Sequence, residues 1–343
     1  MAPSEHNRAE HKRMGAWADR AESGEQTVFP AGGGTTLARF DQPRGRGTTL
    51  AVVADPHLTP TARGTFKLFH RTKQRFQMAI ADAHRLDVDG LVVAGDLTKD
   101  GGKQEHALTA ELLGTAPNPT LSVPGNHDLT AGGDGASAAF GRQYAGGPYP
   151  TTELIDGTAV SLLDSTHPDG TVQVGGGLSE DALDHLACEA SGVAVLHHPI
   201  SPIPDPVEAA FPASRFRLRE PKAVADALVD AGVDLVVSGH IHWPYATTYR
   251  GLKVVGAPSS SSFPPAYLLL HIDPRGTTVS IVPLADRAGL TEAYEFAVAD
   301  ERRGDAIREA VAGGYFGGLP MVEEIDGPAD SDLPTAGSPA VEQ

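Results

Sequence analysis

Eight polar side chains, Asp55, His57, Asp96, Asn126, His127, His197, His240 and His242, each stand just beyond a short apolar run. Carboxylate, amide oxygen and imidazole together suit hard or borderline cations such as Mn, Fe, Zn or Co. The set holds no thiolate, which argues against a structural zinc knuckle. Two cations held about 3.5–4 Å apart need an anionic ligand able to touch both, and a carboxylate is the usual choice. Asp96 fits that role. Asp-x-His or Gly-Asp alone carries little information. Gly125-Asn126-His127-Asp128 and Gly239-His240-Ile241-His242 are more specific, and the whole series in order, each member after an apolar run, leaves little room for coincidence.

The runs that must position these groups are residues 50–54, 91–94, 120–123, 193–196 and 235–238, mostly aliphatic or β-branched. They read as strands buried on both faces. In open α/β sheets ligands gather beyond the carboxyl ends of the strands, so five strand ends from distant parts of the chain can converge in one crevice. Gly95, Gly125 and Gly239 stand where a strand end must turn and let backbone pass close to an ion.

Helical patterns over 65–86 and 104–113 separate the first three strands, which is βαβ alternation. A Gly/Ala-rich stretch, 131–147, leads to strand-like segments at 151–155 and 159–164, where a second sheet begins. A helix over 178–189 precedes the fourth strand, and the proline-rich loop 199–221 after it has the length of a substrate lid. The next helix, 221–231, opens on Pro221 and stops at Gly232. Strands at 252–256, 267–272 and 279–283 complete the sheets. Residues 1–26 and 327–343 show no apolar periodicity and are expected to lack fixed structure. That leaves one domain over 27–326, with a helical extension at about 287–318.

The chain has 343 residues, 40% of them hydrophobic, enough for a large α/β core. Its 44 acidic and 27 basic side chains give a net charge of -17, which disfavours a non-specific hold on nucleic acid or anionic membrane and is compatible with a salt-adapted cytosol. Cys188 is the only cysteine, so no intramolecular disulfide forms, and it reads as buried filler. No run approaches a membrane span, and the expected location is the cytoplasm.

In residue types and order, Asp55-Pro56-His57, Gly95-Asp96, Gly125-Asn126-His127-Asp128, His197-His198 and Gly239-His240-Ile241-His242 resemble the calcineurin-like metallophosphoesterases, most of all the class III cyclic-nucleotide phosphodiesterase type. The resemblance runs over residues 48–283. It implies a four-layer α/β/β/α sandwich of two mixed sheets with two divalent or trivalent metal ions at one edge. By that resemblance Asp55, His57, Asp96 and His242 bind one ion, and Asp96, Asn126, His197 and His240 the other. It places the fourth-strand ligand directly after Leu196, hence His197, and leaves His198 to contact phosphate or support a ligand. Spacing alone leaves that pair open.

The reaction so implied is hydrolysis of a small phosphodiester, cyclic-nucleotide-like, or of a phosphomonoester. A metal-bound hydroxide attacks phosphorus in line, His127 assists the leaving oxygen, and Asp128 orients His127. The expected partner is a small phosphate ester, with neither membrane nor nucleic acid. Two alternatives stay open: a nuclease of the same family, for which the chain shows no basic track, and a metal-binding scaffold without turnover, against which the full ligand set speaks. Elsewhere, His70, His84, His106 and His185 read as solvated faces and Trp243 as core. Phe66, Phe69, Phe76 and Ile80 read as a helical core stripe, and Ser259 to Ser262 as a flexible, substrate-facing loop.

Overall fold

The apolar runs form strands, and alternation inside each run decides what its two faces meet. The computed structural model describes residues 35–129, 136–166, 175–188 and 192–325. The two segments expected to lack fixed structure, residues 131–135 of the Gly/Ala-rich stretch and the side chain of Cys188 lie outside what is described. The first part of the chain forms β1 (Thr35–Phe40), β2 (Thr48–Val53), α1 (Thr72–Arg85), β3 (Gly90–Ala94), α2 (Lys103–Leu113) and β4 (Thr120–Val123). Next come α3 (Ala136–Tyr144), β5 (Thr151–Ile155), β6 (Thr158–Leu162), α4 (Glu180–Cys188) and β7 (Val193–Leu196). Three helices, α5 (Asp205–Glu208), α6 (Ala213–Phe216) and α7 (Pro221–Asp230), lead into β8 (Leu235–Ser238), β9 (Tyr245–Tyr249) and β10 (Leu252–Gly256). The long hairpin of β11 (Ala266–Asp273) and β12 (Gly276–Pro283) is followed by α8 (Arg287–Val298), α9 (Gly304–Ala312) and the two-residue β13 (Val322–Glu323).

One sheet has the order β13-β1-β12-β11-β2-β3-β4 and the other β5-β6-β7-β8-β10-β9. Parallel pairing runs through β2, β3 and β4 and through β6, β7, β8 and β10, while β11 pairs antiparallel with β2 and β9 with β10, so both sheets are mixed. On β2, Leu50 and Val52 face the second sheet and share a core with Val92, Val160, Val195 and Val237. Ala51 and Val53 point the other way, onto Phe76 and Ile80 of α1 and Leu108 and Leu112 of α2. In the second sheet Ala194, Leu196 and Val236 turn outward onto Leu186 of α4 and Val224 and Leu228 of α7. Period-two alternation thus yields helix, sheet, sheet, helix, the expected α/β/β/α sandwich. Because β2, β3 and β4 are parallel to one another, as are β7 and β8, each set brings its carboxyl ends together on one edge.

Two departures from the sequence pattern bear on the site. The helix expected over 65–86 starts at Thr72, because the backbone before it pairs elsewhere. Lys67 bridges to Ser262, and the Leu68 N–H donates to the Ser261 carbonyl at 2.9 Å. Phe76 and Ile80 remain in the buried stripe of α1, Phe69 is buried ahead of the helix, and Phe66 lines the cavity described below. The second departure is the packing of α8 and α9. Ala293, Ala297, Ile307 and Ala310 join the inter-sheet core beside Trp243 and Phe263, with Trp243 stacked 5.4 Å from Phe316. Among the described residues no helix is long and apolar enough to cross a membrane.

Candidate metal centre

The chain leaves each strand by a sharp turn. Asp55 and His57 after β2, Asp96 after β3, and His240 and His242 after β8 all have left-handed backbone, with φ of 50°, 45°, 52°, 70° and 66°. A non-glycine residue enters that region at about 1–2 kcal/mol, so surrounding structure must hold it there. Loop-to-loop hydrogen bonds do so: Asp55 N–H to Gly95 O at 3.1 Å, His57 N–H to Asp96 O at 2.9 Å, and His240 N–H to Asp55 Oδ2 at 3.0 Å. Two glycines are required by close approach. A Cβ on Gly95 would overlap the His197 ring, and one on Gly125 the Asp96 carboxylate.

All seven expected ligands meet at this edge, in two groups. In the first, His57 Nε2 and His242 Nε2 are 3.3 Å apart, and Asp55 Oδ1 is 3.3 Å from His242 Nε2. In the second, His197 Nε2 is 3.3 Å from Asn126 Oδ1 and 3.1 Å from His240 Nδ1. Asp96 stands between them, with Oδ2 3.5 Å from His57 Nε2 and Oδ1 3.5 Å from His197 Nε2. Donors bound at about 2.0–2.2 Å to one cation lie roughly 3.0–3.5 Å apart along an edge of its shell, so these spacings fit a coordinating set. Asp55, His57, Asp96, His197, His240 and His242 all fall in buried groups whose ligand atoms lie within 4.8 Å of one another and could hold a metal ion.

Burial disfavours a charge on Asp96, but its imidazole neighbours, His197 first among them, outweigh it and hold the carboxyl well below the usual carboxylate range. Burial pushes His57 and His240 well down and His242 down, which keeps these rings neutral, as metal ligation requires. For His197 burial acts in the same direction but loses to Asp96 and Asp55, which draw the imidazole up to about 9.

Outer contacts set ring orientation. His197 Nδ1–H donates to the Ala94 carbonyl at 3.0 Å, and His242 Nδ1 hydrogen-bonds Ser262 Oγ at 2.8 Å. The remaining nitrogen of each ring therefore faces the cluster. His198 hydrogen-bonds Ser165 Oγ through Nδ1 at 2.9 Å, and its ring lies 4.6 Å from that of His240. Ser165 Oγ also accepts the N–H groups of His197 and His198, pinning the pair from behind.

Two sequence expectations change. The residue that orients His127 is Lys99, whose carbonyl accepts the Nδ1–H at 2.6 Å. Asp128 instead accepts from Leu97 N, Thr98 N, Thr98 Oγ1 and Gly125 N, tying the loop after β3 to the loop after β4, and it positions His127 through backbone. Burial and neighbouring Asp96 push Asp128 up to about 6. The serine run is no substrate-facing loop. Ser259 to Ser262 are all buried, and Ser259 Oγ–H donates to the Asp55 carbonyl at 2.9 Å.

A cavity of about 350 Å³ opens over Asp96, Asn126, His127, His240 and His242, walled by Phe66, Phe211 and Phe216. Lys67, on its rim, places Nζ 3.3 Å from His127 Nε2, and burial lowers its ammonium to about 8. The sequence pattern gave Lys67 no role and counted Phe66 in the helical core stripe. The one available signal was a lysine set among Phe66, Leu68 and Phe69.

The model of the calcineurin-like phosphoesterase family matches residues 48–244, a stretch containing every candidate ligand. The chain is 26% identical over 219 residues to a Pseudoalteromonas sp. (strain SM9913) protein named probable cyclic nucleotide phosphodiesterase, across 62% of this chain and 78% of that one. It is 27% identical over 182 residues to a Rhodococcus erythropolis protein of the same name, across 50% of this chain and 57% of that one. Among solved structures, a dimetal phosphatase from Danio rerio superposes with a TM-score of 0.47 at 16% identity, over 69% of this chain and 99% of that one. A Thermus thermophilus protein gives 0.48 at 14% identity, over 70% and 100%.

Proposed function

The chain belongs to the calcineurin-like phosphoesterase family and is a metal-dependent phosphoester hydrolase, and from that premise we propose that it hydrolyses a small phosphodiester, cyclic-nucleotide-like, or a phosphomonoester at a dinuclear centre. In this reading Asp55, His57 and His242 would hold one ion, Asn126, His197 and His240 the other, and Asp96 would serve both. The observation that carries it is the division of the Asp96 carboxylate, one oxygen toward His57 and the other toward His197. The names of the two curated relatives favour a cyclic nucleotide, and a cavity of about 350 Å³ suits a ligand of that size.

Two divalent cations would supply a Lewis acid for the phosphoryl oxygens and a water acidic enough to act as nucleophile near neutral pH. The chain's own groups do the rest. His127 lines the cavity with Nδ1–H fixed on the Lys99 carbonyl and Nε2 3.3 Å from Lys67 Nζ; with both ring nitrogens protonated, Nε2–H gives a proton or a hydrogen bond to the leaving oxygen. His240 lines the same cavity, with Nδ1 3.1 Å from His197 Nε2 and its ring packed between those of His198 and Phe216. His198 backs His240 and Ser165, and we assign it a supporting role at the same group.

Hydrolysis of bis-p-nitrophenyl phosphate, p-nitrophenyl phosphate and cyclic AMP, each with Mn or with chelator, tests this directly. We expect metal-dependent turnover with the diester preferred. Turnover that survives chelation, or none with any metal, would sink the proposal. Metal counting on His197→Ala and His198→Ala tests the ligand choice: loss of an ion on the His198 change alone refutes it.

A further inference from the structure

The mouth of the cavity concentrates cations in an acidic protein. Although the chain carries 44 acidic side chains against 27 basic, Lys67, Arg215, Arg302 and Arg303 all line this opening, and among the described residues Asp96 is the one carboxylate in its lining. The arginines come from two separate segments. Arg215 lies in α6, on the proline-rich loop, while Arg302 and Arg303 lie in the turn between α8 and α9, beyond the stretch 48–244 that the family matches.

Their placement follows the two ligand groups. The Phe66 ring lies 5.9 Å from that of His242 and carries the Arg303 guanidinium 4.6 Å from its centre. The Phe216 ring lies 5.4 Å from that of His240 and carries the Arg215 guanidinium 5.8 Å from its centre. Each group of ligands is thus followed by one phenyl ring and then one guanidinium. Arg303 is also flanked by Phe211 at 5.1 Å, which holds its planar head in place. Its Nε is buried without a hydrogen-bond partner among the described residues, and Nη1 pairs with a carboxylate oxygen of Asp300 at 3.6 Å. A guanidinium held between two aromatic faces at the cavity mouth is suited to forked recognition of phosphate or carboxylate.

Resting on the phosphoesterase reading above, we propose that the substrate carries two anionic groups: the phosphoryl group hydrolysed over Asp96, and a second phosphate or carboxylate, one aromatic ring further out, held by Arg303 with Arg215. A ligand whose only charge is the scissile phosphate leaves this outer pair unused.

The probes are adenosine 3′,5′-bisphosphate and adenosine 5′-monophosphate, compared as inhibitors of Mn-dependent bis-p-nitrophenyl phosphate hydrolysis and by the rise each gives in melting temperature. The bisphosphate is expected to bind roughly tenfold more tightly to the wild-type protein, the difference of about one well-placed charged hydrogen bond. Arg303→Met, which keeps the apolar stem, or Arg215→Met should bring that ratio toward one. Should Arg303→Met melt too low to assay, the exposed Arg215 still gives the test. Equal inhibition in the wild type, or a ratio that neither variant moves, overturns the outer site. Absence of any metal-dependent diester hydrolysis in the wild type would count instead against the phosphoesterase reading.

Discussion

The floor of the cavity and its mouth are built on different principles. At the floor, the candidate ligands sit on strand ends, and five of them, Asp55, His57, Asp96, His240 and His242, are locked in left-handed backbone by bonds between neighbouring loops. At the mouth, Arg215 and Arg302 are exposed, and Arg303 is placed by the packing of α8 and α9 against the sandwich. Reaction chemistry needs donor atoms fixed to fractions of an ångström, which a strained, buried backbone provides. Selectivity needs only charge and shape at the right distance, which a helical turn can supply and vary without disturbing the floor.

If the floor is one two-ion unit, its bridge is its weakest point. Asp96→Asn should lose metal and lower kcat by about a thousandfold, since Lewis-acid stabilisation is worth several kcal/mol and each 1.36 kcal/mol is tenfold. Metal content and steady-state rates read both effects, and a variant that keeps two ions and most of its rate would break the division between floor and mouth. The next effect separates the ions from the proton donor. His127→Ala should retain its metal yet slow cyclic AMP hydrolysis by about a hundredfold, with a much smaller loss on p-nitrophenyl esters, whose leaving group needs little protonation. Equal losses on both substrates would remove His127 from the leaving-group role.

The floor was legible in the sequence because ligand types and strand ends are both one-dimensional signals. Asp55, Asp96 and His240 follow apolar runs at spacings that survive folding unchanged, and the order of those runs pointed to the sandwich. His197 against His198 was not decidable by spacing. Both lie past the end of β7, where alternation stops, and both share with His240 a buried group that could hold a metal ion; they differ in that His197 bonds the Ala94 carbonyl and approaches Asn126 and Asp96, while His198 bonds Ser165. The mouth was illegible for a different reason. Phe66 falls in step with Phe69, Phe76 and Ile80, so helical periodicity claimed it, but pairing of residues 67 and 68 with the serine run withdrew that segment from the helix. Ser259 to Ser262 resembled a mobile polar loop because their partners, the Asp55 carbonyl among them, are supplied by remote strands.

Ser262 sharpens the comparison from behind the floor. Its hydroxyl fixes the His242 ring, and removing such a support costs ten- to a hundredfold in metal affinity. Ser262→Ala should therefore need about tenfold more Mn for half-maximal rate while leaving kcat at saturating metal within a few-fold of wild type. A kcat loss that excess Mn does not repair would mean the serine does more than orient His242.

The smallest effect belongs to Lys67, which stands where floor and mouth meet. Burial lowers its ammonium from 10.5 to about 8, so the folded protein binds this proton less tightly than the unfolded chain. A base depressed in this way costs stability while it is charged. The cost is complete below about pH 8, shrinks as the pH rises from there, and disappears above about 10.5, where both states are neutral. Lys67→Met should accordingly melt above wild type near pH 7, with the gap narrowing toward about pH 9.5. The same substitution removes the cation 3.3 Å from His127 Nε2 and should lower turnover by less than His127→Ala does. A gap in melting temperature that stays constant with pH would show that the Lys67 charge is not strained by its surroundings, and would place this side chain with the exposed Arg215 and Arg302 of the mouth.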